Sequence, residues 1–251
     1  MSRPVPAASR AEAKRRSTGT PGSYAFDAGS PCLAGAARAE IAATFDRVPR
    51  LLLVRHGQSE WNAAGRWQGQ ADPPLSDLGR LQAQAAAGAI GAVDAIVASP
   101  LDRALRTAAT ISEAVGIGPV LVDADLQERH AGEWQGLTRA QIDEQYPGYL
   151  DPSAGTRRRP PGWEDDDVLL ERVLGAIGRL VAVLDGADEV LVVTHGGVIY
   201  AIERHLGATF ERIPNLGARR VTAEADGVVV LGERLVLVDP DAVTVTTPDQ
   251  I

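Results

Sequence analysis

The sequence predicts an α/β fold: a three-layer α/β/α domain whose mostly parallel central sheet carries helices on both faces. Three observations point there. Short apolar runs such as 51–55 (LLLVR) and 189–194 (EVLVVT) lack the in-out alternation of a half-exposed strand, as expected of strands covered on both faces. Segments with helical spacing of apolar residues fall between such runs, and the two kinds alternate along the chain. Hydrophobic residues make up 45% of the 251, ample for a core of that size.

Taken in order, 51–55 is the first strand. Ser76 in LSDLGRLQAQAAAGAI fits an N-cap, and Leu78, Leu81, Ala85 and Ile90 follow at helical spacing. DAIVASP is a short strand ended by Pro100, and LDRALRTAATISEAVG a helix closed by Gly116. PVLVDADL reads as another strand, and TRAQIDEQYPG as a short helix stopped by Pro147. A polar, proline-rich loop, GTRRRPPGWEDDD, precedes the amphipathic helix of VLLERVLGAIGRLVAVLDG. The buried strand at 189–194 leads into a helix over VIYAIERHLG, and RRVTAEADG, VVVLG and RLVLVD read as short terminal strands. One α/β domain over residues 48–240 accounts for this alternation, with a C-terminal tail at 241–251.

Residues 1–47 differ. They are rich in Ser, Pro, Gly, Ala and Arg, have little to pack, and lack the apolar stretch a secretory signal places after its basic residues. A disordered basic extension, or an upstream start wrongly assigned, explains them; a short helix over AARAEIAATFDRV fits within it. Residues 1–50 hold eight basic and four acidic side chains, a balance of +4. The chain as a whole holds 25 and 33, so 51–251 carry 17 and 29, a balance of −12. So acidic a body is a poor partner for nucleic acid, whose affinity comes mostly from phosphate neutralisation. No run of 18 apolar residues occurs, so no membrane helix is expected. The single cysteine, Cys32, allows no intrachain disulfide and suggests a reducing, cytoplasmic setting.

The chemistry-bearing residues gather at the predicted strand ends. His56 ends LLLVRHG and His195 ends VLVVTHGG, each followed by glycine. In open α/β sheets ligands sit beyond the carboxyl ends of the strands, so both imidazoles arrive at one rim. Taken singly, either histidine is more often a structural one. Ser99 leaves a third strand, with Arg103 in the first turn of the following helix, where an anion is already favoured. Arg106, one turn on, suits a surface pair with Asp102 or Glu113. Glu128, past the strand PVLVDADL, is either a charge balancer or a proton donor.

Five stretches, LVRHGQSEWN, LSDLGRLQA, VASPLDRALRTA, LQERHAGEWQGLT and VVTHGGVI, resemble the histidine phosphatase superfamily, the phosphoglycerate mutase-like clan, in that family's order across residues 51–217. The resemblance implies a phosphomonoesterase acting on small phosphorylated metabolites. His56 matches the nucleophile, which must be uncharged to attack. Arg55, Arg103 and His195 match the phosphate grip, and Glu128 the acid that protonates the leaving alcohol. Asn62, Gln68 and Gly69 match the pocket mouth, and Gly196 joins Arg55 and Arg103 among the substrate-binding positions. No cofactor is implied, and His56, His130, His195 and His205 show no zinc-ligand spacing.

His130 keeps a cofactor-dependent phosphoglycerate mutase open as an alternative, because ERH occurs in those mutases too. A catalytically inactive relative that binds phosphorylated ligands is the second alternative. The segment from Gly136 to Glu189 is shorter than the basic insertion of the mutases, which favours the phosphatase, although it supplies Arg157, Arg158 and Arg159. These arginines suggest a small acidic phosphoester. Trp134 is assigned to the core and His205 to a helix C-terminus. A homodimer is compatible with the sequence.

Overall fold

A computed structural model of the chain describes residues 48–151, 158–223 and 229–239. The N-terminal extension with Cys32, the short helix expected within it, the loop residue Arg157 and the tail 241–251 lie outside the described residues. The helices are α1 (Glu60–Ala63), α2 (Asp77–Ala87), α3 (Asp102–Val115), α4 (Arg139–Gln145), α5 (Asp166–Val183) and α6 (Gly196–His205). The strands are β1 (Arg50–Arg55), β2 (Ala95–Ala98), β3 (Leu121–Val122), β4 (Glu189–Thr194), β5 (Gly217–Ala223) and β6 (Val229–Val236), in the sheet order β3-β2-β4-β1-β5-β6.

The first four strands are parallel, whereas β5 and β6 run antiparallel along one edge. The three short terminal strands expected from the sequence are therefore two. Leu51 to Val54 in β1 are at most 4% exposed, and their alternation supplies both faces of the sheet. Leu51 and Leu53 join Val190 and Val192 against Leu169, Val173, Ile177 and Leu180 of α5 and Val198 and Ile202 of α6. Leu52 and Val54 join Leu191 and Val193 against Ala86 of α2 and Ala104, Ala108 and Ile111 of α3. Burying each such Leu or Val contributes roughly 1.5–3 kcal/mol, so covering both faces explains the uninterrupted apolar runs. The three layers follow directly.

Two elements depart from expectation. Ser76 caps α2 as predicted, accepting from the Gly79 amide at 3.0 Å. The buried face, however, is Gly79, Gln82, Ala83 and Ala86, while Leu81 is 56% exposed. A Cβ on Gly79 would run into the Gln58 carbonyl, and Gln82 Oε1 accepts from the Gln58 amide at 2.8 Å. This face of α2 therefore holds the loop after β1 rather than presenting leucines to the core. The second departure is β3, two exposed edge residues instead of a full strand. Asp123 then caps a 3-10 turn over Ala124–Leu126, so Glu128 follows a turn and not a strand end.

Candidate active site

Strand register builds the site. Parallel pairing sets Arg55 opposite Thr194, so the next residues, His56 and His195, leave the sheet side by side. The His56 amide donates to the Thr194 carbonyl at 3.0 Å, and the Ser99 amide to the Val193 carbonyl at 3.0 Å. Three adjacent strands thus end at one rim. The two imidazole centroids are 5.1 Å apart in an edge-on arrangement.

His56 is 2% exposed, and its Nδ1 lies 2.6 Å from the Gly57 carbonyl. A carbonyl only accepts, so Nδ1 carries the proton and Nε2 keeps its lone pair. Arg103 Nε donates to that lone pair at 3.2 Å. Arg103 is fully buried, its Nη1 and Nη2 donating to the Ala71 and Gly69 carbonyls at 2.7 and 2.8 Å. Burial lowers its pKa to about 10, against the opposing pull of Glu128 and Asp72, which leaves it charged at neutral pH. Arg55 is likewise lowered, chiefly by burial, and its Nη1 donates to the Ile213 carbonyl at 2.7 Å. Burial first, then Arg103, then Arg55, holds the His56 pKa well below its usual value. The imidazole is neutral at neutral pH.

His195 is neutral for similar reasons: burial first, then Arg103 and His56. Its Nε2 meets Ser99 Oγ at 2.8 Å. The same hydroxyl accepts from the Leu101 amide, which favours donation of its own proton to Nε2. That assigns the His195 proton to Nδ1, a buried donor with no hydrogen-bond partner. The Glu128 carboxylate accepts from the Arg129 amide at 2.7 Å and the Gly197 amide at 3.1 Å, at the N-terminus of α6. A Cβ at Gly197 would collide with that carboxylate, so glycine at 197 permits the contact.

A cavity of about 610 Å³ opens over this rim, lined by Arg55, His56, Gln68, Gly69, Arg103, Glu128 and Gly196 among the residues predicted from sequence. His195 stands behind its wall, in edge contact with His56. Asn62 is fully buried and does not line the cavity, contrary to expectation. With Ser59 it closes the capping box of α1, and it shares Asn215 with the His56 carbonyl. Trp134 is fully buried, as expected, packed edge-on against Trp67 and Trp163, which do line the cavity. Arg159 lines it as well, its guanidinium 4.4 Å from the Trp163 ring centre. Arg158 instead lies over Tyr149, away from the cavity wall. Arg106 pairs with Asp102, one of the two partners expected.

Sequence reasoning passed over several contributors. Thr107 shares a face of α3 with Arg103; its hydroxyl donates to the Arg103 carbonyl and accepts from the Gly57 amide. Their i,i+4 spacing was a usable signal. Arg129, Arg139, Arg204 and Arg212, with Tyr200 and Phe210, line the outer cavity. Arg129 and Arg139 come from separate segments, whereas Tyr200 and Arg204 lie one turn apart on α6 and Phe210 and Arg212 follow in the segment after it, so only the α6 pair carried a usable spacing. Among the described residues, no group of three or more His, Cys, Asp or Glu is placed to hold a metal ion.

Buried neutral imidazoles between arginine forks, at the carboxyl edge of a parallel sheet, define a phosphoryl-transfer site of the α/β class. The family model for the histidine phosphatase superfamily (branch 1) matches residues 51–230, and the chain belongs to that family. It is 41% identical over 181 residues to a glucosyl-3-phosphoglycerate phosphatase of Mycolicibacterium vanbaalenii, covering 68% of this chain and 80% of that protein. It is 38% identical over 161 residues to a metal-independent phosphoserine phosphatase of Arabidopsis thaliana, covering 62% and 67%. The solved structure of a mycobacterial glucosyl-3-phosphoglycerate phosphatase complexed with VO3 superposes with a TM-score of 0.63 at 32% identity, covering 74% of this chain and 98% of that one. The chain is a phosphatase of this family.

Proposed function

We propose that residues 48–240 form a phosphomonoesterase that works through a phosphohistidine on His56, with Glu128 as proton donor. The observation that carries this is the His56 Nε2 lone pair, held neutral and aimed at Arg103. As the ester binds, Arg103 Nε shifts its hydrogen bond from His56 Nε2 to a phosphoryl oxygen; the freed Nε2 attacks phosphorus while the bond to the ester oxygen breaks, and the Glu128 carboxyl passes its proton to that oxygen. Water then attacks the phosphohistidine, Glu128 takes a proton from it, and phosphate leaves with His56 restored. Arg55 and Arg103 supply fixed positive charge to the phosphoryl oxygens, and His195, fully buried and outside the cavity lining, bears on the site through its edge contact with the His56 ring.

The substrate we infer is a small acidic phosphomonoester. Two arginines suffice for the phosphoryl group, yet Arg129, Arg139, Arg159, Arg204 and Arg212 also line the cavity; Arg129 and Arg204 share Asp166 and Arg139 lies 4.0 Å from Asp143, which still leaves cations in excess of carboxylates there. In a chain of net charge −8, such a concentration of cations selects a second anionic group. Glucosyl-3-phosphoglycerate and phosphoserine, in the names of the relatives, both carry a carboxylate beside the phosphate. The cytoplasm, suggested by the single cysteine, is the compartment we assign, and no described helix is long and apolar enough to cross a membrane.

Rapid-quench labelling with a radioactive phosphate ester tests the reading, followed by analysis of the products with and without 3-phosphoglycerate and bisphosphoglycerate. Label on residue 56, its loss in a folded His56→Ala variant, and release of free phosphate are expected. Absence of label would remove His56 from its role, and isomerised phosphoglycerate would favour a mutase.

A further inference from the structure

We infer that Arg172 and Glu164 are positioning residues that hold Glu128 in place for proton transfer, an inference that rests on the acid role proposed for Glu128. The segment carrying Glu128 needs such support. Strand β3 ends at Val122, and from there to the isolated bridge at Ala131 the chain has only a 3-10 turn to organise it. Mobile backbone under a catalytic carboxylate would spread its oxygens over positions far from the leaving group. A misplacement of about 1 Å can lower a rate about 100-fold.

Arg172, in the second turn of α5, has a side chain only 16% exposed. Its Nη1 donates to the Asp125 carbonyl at 2.6 Å and the Gln127 carbonyl at 2.8 Å, and its Nη2 to the Glu128 carbonyl at 3.1 Å. Nε and Nη2 also donate to the two Glu164 carboxylate oxygens at 2.7 and 2.9 Å. Glu164 extends the grip downstream: its Oε2 accepts from the His130 amide at 3.0 Å, and its backbone carbonyl accepts from Arg129 Nη1 at 2.7 Å. One ion pair therefore binds residues 125, 127, 128, 129 and 130.

The rest of the geometry explains why this bears on the acid. Arg172 and Glu164 touch the backbone of this segment and not the Glu128 carboxylate, which is fixed separately by the Arg129 and Gly197 amides. The clamp sets where the side chain starts and the amides set where it ends. Lysine cannot take over from arginine, because an ammonium lacks the planar fork that spans three carbonyls and a carboxylate at once. A general structural ion pair would have no reason to converge on three carbonyls of the segment bearing the acid. Other contacts add to the clamp without replacing it: Gln70 Nε2 also donates to the Glu128 carbonyl, and Thr194 Oγ1 to the Leu126 carbonyl.

Leaving-group dependence of kcat/KM separates positioning from general stability, because that parameter ends with expulsion of the alcohol or phenol and excludes phosphohistidine hydrolysis. Arg172→Lys and Glu164→Gln are compared with Glu128→Gln on an alkyl phosphate and on p-nitrophenyl phosphate, each variant first shown folded by thermal melting. The expected loss for Arg172→Lys is about 10- to 100-fold on the alkyl ester and under about threefold on the nitrophenyl ester. In a Glu128→Gln background the same substitution should cost nothing further on the alkyl ester. Equal losses on both esters, or losses that multiply with Glu128→Gln, would overturn the clamp. If Arg172→Lys does not fold, Glu164→Gln decides by the same two criteria. A Glu128→Gln variant without leaving-group dependence would instead refute the acid role and take the clamp with it. Normal dependence there, with none in Arg172→Lys, refutes the clamp alone.

Discussion

Mild acid should destabilise this protein through its two buried histidines, by an amount that follows from their burial. His56 and His195 are 2% and 0% exposed, and burial followed by the Arg103 charge holds both pKa values well below 6.5. In the unfolded chain both titrate near 6.5. Between the folded and unfolded values the unfolded state binds more protons, so this contribution is fully present above pH 6.5 and is lost as pH falls below it. A histidine that stays neutral in the fold gives up RT ln(1 + 10^(6.5 − pH)), about 2 kcal/mol at pH 5, and the pair about 4 kcal/mol. His56→Asn removes one of the two titrating groups. Since ~1 kcal/mol corresponds to about 2–4 °C in Tm for a chain of this size, its Tm should fall by about 4–8 °C less than the wild type's between about pH 7.5 and pH 5. Calorimetry in phosphate-free buffer measures this directly, since bound phosphate would add its own stabilisation. Equal falls in Tm for both proteins would show that His56 is not kept neutral by the fold, and the argument for its nucleophilicity would go with it.

Glu128→Gln should lower kcat/KM about 100-fold or more on an alkyl phosphate and far less on p-nitrophenyl phosphate, whose leaving group needs little protonation; equal losses would reduce Glu128 to a charge balancer. Arg159→Ala should lower kcat/KM about tenfold on a carboxylate-bearing phosphoester and leave a neutral sugar phosphate unchanged, as measured by phosphate release. Indifference to the substrate carboxylate would remove Arg159, and the stacked surface of Trp163 beneath it, from substrate selection.

What the sequence made legible was whatever the sheet repeats. His56 and His195 could be paired because both follow apolar runs, and parallel register carries adjacent strand ends to one rim whatever the loops do. Arg103 was legible for the same reason, in the first turn of the helix that follows the end of β2. The errors arose where burial serves a polar partner. The leucines of α2 have helical spacing, but the face that is buried is the one whose Gly79 and Gln82 meet the loop after β1. Asn62 was expected at the pocket mouth and sits inside the capping network beneath it. Arg158 and Arg159 are neighbours in sequence, yet one lies over Tyr149 and the other over Trp163 at the cavity; composition cannot tell them apart.

The arginines do two things with one charge, and this accounts for their depth. A guanidinium at the surface could attract a phosphate ester but would do little to an imidazole through screening water. Buried beside His56, Arg103 raises the energy of the imidazolium and so preserves the lone pair, while carbonyls of Gly69 and Ala71 satisfy its outer nitrogens without neutralising it. Those carbonyls belong to the segment that brings Gln68 and Gly69 to the cavity wall, so the same contacts that make a buried cation tolerable also shape the mouth of the site. A carboxylate in their place would pair with Arg103 and weaken both effects. Hydrogen-bonding the guanidinium to neutral acceptors, with the Asp72 carboxylate no nearer than 3.9 Å, leaves much of its charge for the nucleophile before the reaction and for the phosphoryl oxygens during it.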